Sequence, residues 1–419
     1  MDKRITLIIL FAAVLVLLCG AYTRTDVIVD NTEQAILIKA RKKIKKKEFS
    51  RIIGDQQIED KTLSILYTLY QLPAKDKCVY SVGGVFNYKE QRECKYYNVT
   101  GRKPLLYGVE TTYALDEYWS LFNHAVVPSG KDINQNYKDF LVESIKKAYD
   151  LYGSIPVIAY HMANPYSPIP PERYGAYHEY KDNIHKNVVQ EMRLGKGESC
   201  GYNGKCDNPR VYLDEKLDSL ASFVRLLIDK RGKPIPCIIR PFHEMDMNSF
   251  WWGESFCSPD DYIWLFRYTV DKLRKSYNIH NIIWGYNLGN RFTSYDKMIE
   301  RYPGDDYVDI IGCDEYNMGY SQQCTKDSYT RCRLITEESL KRDKICGLFE
   351  CGVAGIKEKE DILNRDFYTT GLPQLLDQDG IKLSFVLGYE GTYMPSSDEG
   401  KKHYRTFVRS KRIYNKKLR

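Results

Sequence analysis

Two glutamates stand at the ends of short apolar runs, where carboxylic acids can carry acid–base and nucleophilic chemistry. Glu244 ends the stretch 240–244, Arg-Pro-Phe-His-Glu, which directly follows the apolar run 236–239, and Glu350 follows the run 344–349. Hydrolysis of a glycosidic bond requires a proton donor for the departing oxygen and a second carboxylate across the sugar carbon. A separation of about 5–5.5 Å supports a covalent intermediate and retention, whereas a wider pair gives inversion. Both glutamates are therefore candidate catalytic residues of a glycosidase.

The neighbours of each glutamate favour a different protonation state. Apolar and aromatic residues around Glu244 would raise its pKa and keep it protonated as an acid. Glu350 must stay ionised to attack carbon, and Arg240 or a tyrosine hydroxyl could ensure that. Glutamates usually lie exposed on the surface, so the assignment depends on both residues lying at strand ends on one rim of the fold.

Short apolar runs alternate with longer amphipathic stretches, a pattern that is typical of βα units and a parallel sheet. Helices are predicted at 136–149, 213–230, 259–277 and 295–300. Strands are predicted at 78–82, 104–109, 155–160, 236–239, 281–286, 308–312, 344–349 and 382–387. Eight such strands predict an α/β fold, a (β/α)8 TIM barrel, with its active site at the carboxyl ends of the strands.

Three segments are predicted along the chain. In residues 1–23, Lys3 and Arg4 precede the apolar run 5–18, which predicts a secretory signal peptide and a secreted protein. An uncleaved signal anchor, which would attach the protein to a membrane, is the alternative. Residues 24–59 are predicted to be a basic helical segment, and residues 60–415 a single catalytic domain.

The charge pattern bears on the partners of the protein. The formal net charge of +7 comes mainly from the stretches 39–47 and 401–419. Because charged and apolar positions alternate there, solvated helix faces are expected rather than nucleic-acid-binding arms. No Cys or His spacing is typical of a metal site, and neither a metal nor an organic cofactor is expected.

Cysteines and one sequon fit an oxidising compartment. The sequon at Asn98 predicts a glycosylated surface loop. Three pairs of cysteines close in sequence are candidate disulfides. They are Cys78 with Cys94, Cys200 with Cys206, and Cys324 with Cys332.

The stretch 239–245, Ile-Arg-Pro-Phe-His-Glu-Met, with Phe-Trp-Trp-Gly at 250–253, resembles the acid/base signature of glycoside hydrolase family 26. Other segments resemble this family in the same order along residues 60–415. They are Thr100-Gly101 with Pro104 and Tyr107-Gly108, His161 with Asn164-Pro165, 280–284, 302–309 leading to Asp314 and Tyr316, and 349–352. The family consists mainly of β-mannanases on a (β/α)8 barrel.

The resemblance implies a role for each matching residue. Glu244 would be the acid/base and Glu350 the nucleophile of an endo-acting, retaining enzyme on mannan, glucomannan or galactomannan. Indole faces can also stack on sugar rings, although core packing is the alternative and one of the two tryptophans is expected to be buried. The expected substrate-binding residues are His161, His243, Arg240, Trp251, Trp252, Tyr316 and Tyr389.

Departures from the family pattern leave the sugar open. Asp246 replaces the usual Asn, Glu110 stands where Asp is usual, and 389–391 reads Tyr-Glu-Gly instead of Trp-Arg-Asn. The same chemistry on a β-glucan or β-xylan is therefore an alternative, since pocket contacts rather than the catalytic pair select the sugar. A carbohydrate-binding barrel without activity is another, although such a protein has no need of both glutamates.

Overall fold

Eight apolar runs form parallel strands that close into a barrel in the order β1 to β8, and β1 pairs with both β2 and β8. The computed structural model describes residues 31–83, 94–115, 133–166, 187–201 and 204–418. The strands are β1 Val79–Gly83, β2 Leu106–Glu110, β3 Ile155–Ala159, β4 Cys237–Ile239, β5 Ile282–Leu288, β6 Ile310–Glu315, β7 Ile345–Cys351 and β8 Phe385–Tyr389. Almost every strand residue is buried, as expected for parallel strands covered on both faces. The predicted (β/α)8 barrel is confirmed.

Helices lie around the barrel and before its first strand. They are α1 Asn31–Lys43, α2 Lys46–Phe49, α3 Asp60–Gln71, α4 Lys95–Thr100, α5 Thr112–Leu115, α6 Ile133–Tyr152, α7 Val188–Leu194, α8 Pro209–Leu226, α9 Pro259–Asp271, α10 Tyr295–Ile299, α11 Gln322–Lys341, α12 Lys359–Arg365, α13 Leu372–Asp377 and α14 Asp398–Val408. Short polar side chains begin several of them: Asn208, Ser258 and Ser321 each accept a backbone N–H of the first turn. Such caps satisfy donors that have no partner within the helix.

Two register shifts lie at the carboxyl ends of neighbouring strands. The pairing of β6 with β7 shifts between Cys313 and Asp314, and the pairing of β7 with β8 shifts between Leu348 and Cys351. Bulges of this kind change the direction of side chains and are frequent beside active sites. They occur where Asp314 and Glu350 leave the barrel wall.

The opposite end of the barrel is closed by the segment that precedes β1. Leu66 and Leu69 of α3, with Phe49 of α2 and Ile53, belong to the same buried cluster as residues that begin the strands, such as Val79. Together these residues cover the amino-terminal ends of the strands with apolar surface.

Arg41 of α1 departs from the predicted solvated face. Its side chain is 2 % exposed and donates to the carbonyl oxygens of Ser339 (2.8 Å) and Lys344 (2.9 Å). Its guanidinium carbon lies 4.1 Å from the ring centroid of Tyr70. These carbonyls lie at and just beyond the carboxyl end of α11, where a cation is favoured by the helix dipole. Arg41 thereby attaches α1 to the barrel.

Two of the three predicted disulfides are wrong. Cys324 and Cys332 lie in the same helix, α11, and eight residues of α-helix span about 12 Å. Cys78 precedes β1, whereas the Cys94 sulfur lies 3.4 Å from Glu390, beyond the carboxyl end of the neighbouring strand β8. The length of a strand, roughly 15 Å, therefore separates the two, and a disulfide requires Cα atoms within about 7 Å.

The structure describes Asn98 but not the predicted signal segment. Asn98 is exposed but lies in α4 rather than in a loop, so the expected loop is wrong and its glycosylation stays a prediction. Residues 1–23 lie outside the described residues. Among the helices within the described ranges, none is both long and apolar enough to cross a membrane.

Replacing Arg41 with Met tests the attachment of α1. We expect Arg41→Met to lower the free energy of unfolding by about 2–4 kcal/mol, because the carbonyls of Ser339 and Lys344 each lose a charged donor. The measurement is urea unfolding followed by tryptophan fluorescence. Lys42→Met, at an exposed position of the same helix, is the matched control and should change stability by less than about 0.5 kcal/mol. Equal unfolding midpoints for the two variants would contradict the role of Arg41.

Cys200 and Cys206 remain a predicted disulfide. Their backbones form an antiparallel bridge with two mutual hydrogen bonds of 2.8 and 3.0 Å, and Cα atoms in such a pair lie about 5.5 Å apart, within disulfide range. Non-reducing peptide mapping of protein secreted into an oxidising medium should recover the two cysteines in one linked species. Free thiols at both positions would contradict the prediction, and Cys237 and Cys346 serve as buried thiols expected to stay reduced.

Candidate active site

Arg240 connects the carboxyl ends of four neighbouring strands. It follows β4, and its Nη1 donates to Asn287 Oδ1 of β5 (2.9 Å) and to Asp314 Oδ2 of β6 (3.1 Å). Its Nη2 donates to Oε1 of Glu350 in β7. The structure thus brings the predicted Arg240 and Glu350 into direct contact.

Glu350 receives a donor on each carboxylate oxygen. Arg240 contacts Oε1, and the hydroxyl of Tyr316 lies 2.7 Å from Oε2. Burial and the charge of Glu350 raise the pKa of Tyr316 well above its ordinary value, so the phenol keeps its proton and donates it. Both donors stabilise negative charge on Glu350, as a nucleophile requires. Its side chain is 15 % exposed, which leaves the carboxylate accessible.

Asp314 also accepts a hydrogen bond from the guanidinium of Arg240. Its side chain is 1 % exposed, and burial followed by the charge of Glu350 raises the pKa of Asp314 well above its ordinary value. Burial disfavours the charge of Arg240, but Glu350 and Asp314 outweigh it and raise the pKa of Arg240, which remains a cation. The raised pKa of Asp314 favours its protonated form beside the guanidinium.

Glu244 lies in a backbone turn that few residues adopt. Its φ is 56° and that of Phe242 is 51°, and a left-handed conformation costs a non-glycine residue of the order of 1–3 kcal/mol. The Glu244 N–H donates to the carbonyl of Asn287 (2.8 Å), and the Phe242 carbonyl accepts from the hydroxyl of Tyr262 (3.0 Å). These bonds hold the strained turn against β5 and α9.

The protonation of Glu244 fits a general acid. Burial, followed by the charge of Glu350, raises the pKa of Glu244 to about 7. Arg240 opposes this shift but does not cancel it. Adjacent carboxyl groups thereby hold different states: one is stabilised as an anion by two donors, and the other retains a proton near neutral pH.

Two histidines stand edge to face with their ring centroids 4.6 Å apart, and their charges differ. His243 is 2 % exposed, and burial and the nearby Arg240 lower its pKa well below the ordinary value. His161 lies beside Glu110, and this carboxylate raises the pKa of His161 above the ordinary value despite burial. One ring is therefore neutral and the other favours the cation.

The prediction that Trp251 or Trp252 stacks on sugar rings is wrong. Both indoles are buried, at 2 % and 0 % exposed, and their N–H groups donate to the carbonyls of Met162 (2.9 Å) and His243 (2.8 Å). Neither indole therefore presents a face to a ligand. They pack behind the loops that carry the two histidines.

The aromatic surface next to Glu350 consists of tyrosines instead. Tyr389 ends β8 and lies 6.2 Å from Tyr316 and 5.4 Å from Tyr393, between ring centroids. All three are partly exposed, so the predicted Tyr389 lies beside the carboxylate pair. Tyr393 was not predicted, because nothing in its spacing distinguishes it among 35 tyrosines.

Other site residues were also missed. Asn287 is 0 % exposed, and the signal for it was available, since it is an amide inside the apolar run of β5. Glu110 had been noted only as a departure from the family pattern. In the described part of the chain, no group of three or more His, Cys, Asp or Glu is arranged to hold a metal ion.

Comparison with known families agrees with this geometry. The model of Glycosyl hydrolase family 26 matches residues 56–338. The chain belongs to glycoside hydrolase family 26. The match covers β1 to β6 and ends before Glu350, so the place of Glu350 in the site is given by the contacts described above.

Two curated relatives match parts of the chain. The mannan endo-1,4-beta-mannosidase of Bifidobacterium adolescentis is 30% identical over 268 residues, which cover 62% of this chain and 23% of that enzyme. The mannan endo-1,4-beta-mannosidase of Bacillus subtilis (strain 168) is 24% identical over 233 residues, 52% of each chain. The chain thus spans about a quarter and about half of their respective lengths.

Solved family 26 structures share the fold. GH26C from Muricauda sp. MAR_2010_75 has a TM-score of 0.75 at 24% identity, covering 89% of this chain and 96% of that one. A GH26 beta-mannanase from Bacteroides ovatus has a TM-score of 0.68 at 23% identity, covering 85% and 96%. In fold, both likenesses cover a larger share of this chain than the family match does.

The interaction between the two carboxyl groups can be measured directly. We expect Glu350→Gln to lower the pKa of Glu244 from about 7, because the neighbouring negative charge is removed while burial remains. Carbon-13 NMR of carboxyl-labelled glutamate gives the titration. Glu254, whose pKa is lowered by Lys297, is the internal control and should not shift. An unchanged titration of Glu244 would show that the carboxyls do not share one site.

Proposed function

We propose that the protein is an endo-acting, retaining glycoside hydrolase that cleaves β-1,4-mannan-type polysaccharide by double displacement. The proposal rests on two neighbouring glutamates that favour different protonation states at the carboxyl ends of the strands. Glu350 is held as an anion by Arg240 and Tyr316, and Glu244 beside it has a pKa raised to about 7. Family membership supports the same reaction class.

In the first step, the Glu350 carboxylate attacks the anomeric carbon and forms a glycosyl ester. The bond from that carbon to the leaving oxygen breaks, and the oxygen takes the proton of Glu244. Loss of charge on Glu350 removes one cause of the raised pKa of Glu244. Glu244 therefore retains its proton until attack and ionises more readily once the ester has formed.

In the second step, Glu244 accepts a proton from water. The water oxygen attacks the anomeric carbon, and the ester bond to Glu350 breaks. Two inversions at one carbon give net retention. The buried Arg240 stabilises the carboxylate of Glu350 as it leaves, while Tyr316 restores its hydrogen bond.

The substrate is inferred from the relatives and from the shape of the site. Both curated relatives described above are named mannan endo-1,4-beta-mannosidase. The half-buried faces of Tyr389 and Tyr393 beside Glu350 suit the apolar faces of pyranose rings. A β-glucan or β-xylan would meet the same catalytic pair. The signal-like sequence of residues 1–23 supports the proposal that the enzyme is secreted; an uncleaved membrane anchor is the alternative.

Replacing each catalytic glutamate separates the two roles. We expect Glu350→Ala to lower kcat on every substrate at least about 1000-fold. Glu244→Ala should lower kcat about 100- to 10,000-fold on polysaccharide but far less in the first step with an activated aryl glycoside, whose leaving group needs no proton. Initial rates on mannan, glucomannan, xylan, mixed-linkage glucan and an aryl glycoside provide the measurement.

Azide can enter the space left by each removed carboxylate, so the anomer of the product shows on which face of the sugar that carboxylate lay. With the aryl glycoside, azide should give the α-glycosyl azide in Glu350→Ala and the β-glycosyl azide in Glu244→Ala, because it attacks from the side that the substitution opens. Glu254→Ala, a surface change in the same loop, is the control and should retain full activity. An active Glu350→Ala enzyme, or a single azide anomer from both variants, would overturn the mechanism; turnover of xylan or glucan alone would overturn the substrate.

A further inference from the structure

Glu110 forms a buried contact with His161 at the edge of the catalytic site. Glu110 ends β2 and is 9 % exposed. Its Oε2 lies 2.5 Å from Nδ1 of His161. Its Oε1 accepts the backbone N–H of Thr112 (2.8 Å) and the hydroxyl of the same residue. Both carboxylate oxygens therefore have donors.

Thr112 completes a closed set of hydrogen bonds. Its hydroxyl oxygen accepts the backbone N–H of His161 (2.9 Å) while its proton goes to Glu110. The side chain and the backbone of His161 are thus both fixed through β2 and the start of α5. An imidazole whose Nδ1 is bound in this way has its Nε2 on the opposite side of the ring.

The contact between Glu110 and His161 favours the protonated imidazole of His161. His161 lowers the pKa of Glu110 below its ordinary value despite burial, and Glu110 raises the pKa of His161. Both shifts favour a carboxylate beside an imidazolium. The His161 side chain is 19 % exposed, so part of this cation reaches the open side of the site.

Charged groups from two further strand ends face His161. Arg240 after β4 disfavours the imidazolium, whereas Glu350 of β7 favours it. The cation in turn lowers the pKa of Glu244. The neighbouring ring of His243 stays neutral. Glu110 therefore acts on Glu244 indirectly, by maintaining the charge of His161.

We propose that Glu110, with Thr112, is a positioning residue that holds His161 as an oriented cation, whose Nε2–H donates to a hydroxyl of the sugar bound at Glu350. The proposal rests on the hydrolase function inferred above. A charge-assisted donor binds a hydroxyl more strongly than a neutral one. Its positive charge also limits the pH range over which Glu244 keeps its proton.

Glu110→Gln tests the charge while keeping the volume. The glutamine amide can donate to Nδ1 of His161, which stabilises the neutral ring that still carries a proton on Nε2. We expect kcat/KM to fall about 10- to 100-fold, as the loss of a charged hydrogen bond predicts. The alkaline limb of its pH profile, where Glu244 loses its proton, should move to higher pH, because a neutral His161 no longer lowers the pKa of Glu244. Glu110→Asp, which restores a carboxylate, should return the limb toward the parent position.

Glu338→Gln provides a matched structural control. Glu338 is a buried carboxylate of α11 that is bound to Arg342 and Tyr295, away from the site. Its loss should lower stability without moving the pH profile. If Glu110→Gln behaves like Glu338→Gln, with lowered stability and an unchanged alkaline limb, Glu110 has a structural role only and the proposal is overturned.

Titration of His161 separates this proposal from the proposed function. Nitrogen-15 NMR of the full-length protein should show a lower pKa for His161 in Glu110→Gln than in the parent, whether or not the protein hydrolyses any polysaccharide. An unchanged His161 titration would overturn the role of Glu110 even in an active enzyme. A lowered His161 pKa in a protein without activity would support the pairing and overturn the hydrolase function instead.

Discussion

Arg240 carries a positive charge on a side chain that is 7 % exposed, and a buried cation is stable only with partners that replace water on all its donors. The partners come from β5, β6 and β7, so the charge of one side chain holds the ends of four consecutive strands in register. Glu350 is one of these partners. In the proposed mechanism, the position of Glu350 for attack therefore depends on the same hydrogen bonds that keep the guanidinium buried. One side chain, Arg240, thus supports both the catalytic rim and the stability of the barrel.

The charge of Glu350 also affects which acid keeps its proton. Two carboxyl groups, Glu244 and Asp314, feel the charge of Glu350 and are buried enough for their pKa to rise. Asp314 is sequestered against Arg240, whereas Glu244 lies at the partly exposed surface of the site. Only Glu244 is placed to pass its proton to a ligand. The strained turn at Phe242 and Glu244 is the backbone cost of that placement, offset by hydrogen bonds to β5 and α9.

Much of this arrangement was predictable, for a physical reason. A barrel buries its strands on both faces, so eight apolar runs reveal them, and polar residues at their carboxyl ends, such as Arg240 and Glu350, reveal the rim. The pattern of apolar runs does not predict which side chains pack against each other. Trp251 and Trp252 follow a strand end as a sugar platform would, yet both are buried and their N–H groups donate to backbone carbonyls. Cys324 and Cys332 are near in sequence, but the helix between them keeps them apart.

The region after β8 shows how one substitution redirects a site. Where the family pattern has Arg, the carboxylate of Glu390 faces the start of α4: Oε1 accepts the backbone N–H of Tyr96 (2.9 Å) and lies 3.4 Å from the Cys94 sulfur. Its own N–H donates to the Gly83 carbonyl (3.1 Å). Glu390 thus attaches the last strand to α4 and β1. Since no cation replaces the missing Arg at this position, the rings of Tyr389 and Tyr393 form the accessible surface beside Glu350. In the proposed enzyme, contacts to a sugar on this side of the site therefore depend on ring stacking and tyrosine hydroxyls rather than on a guanidinium.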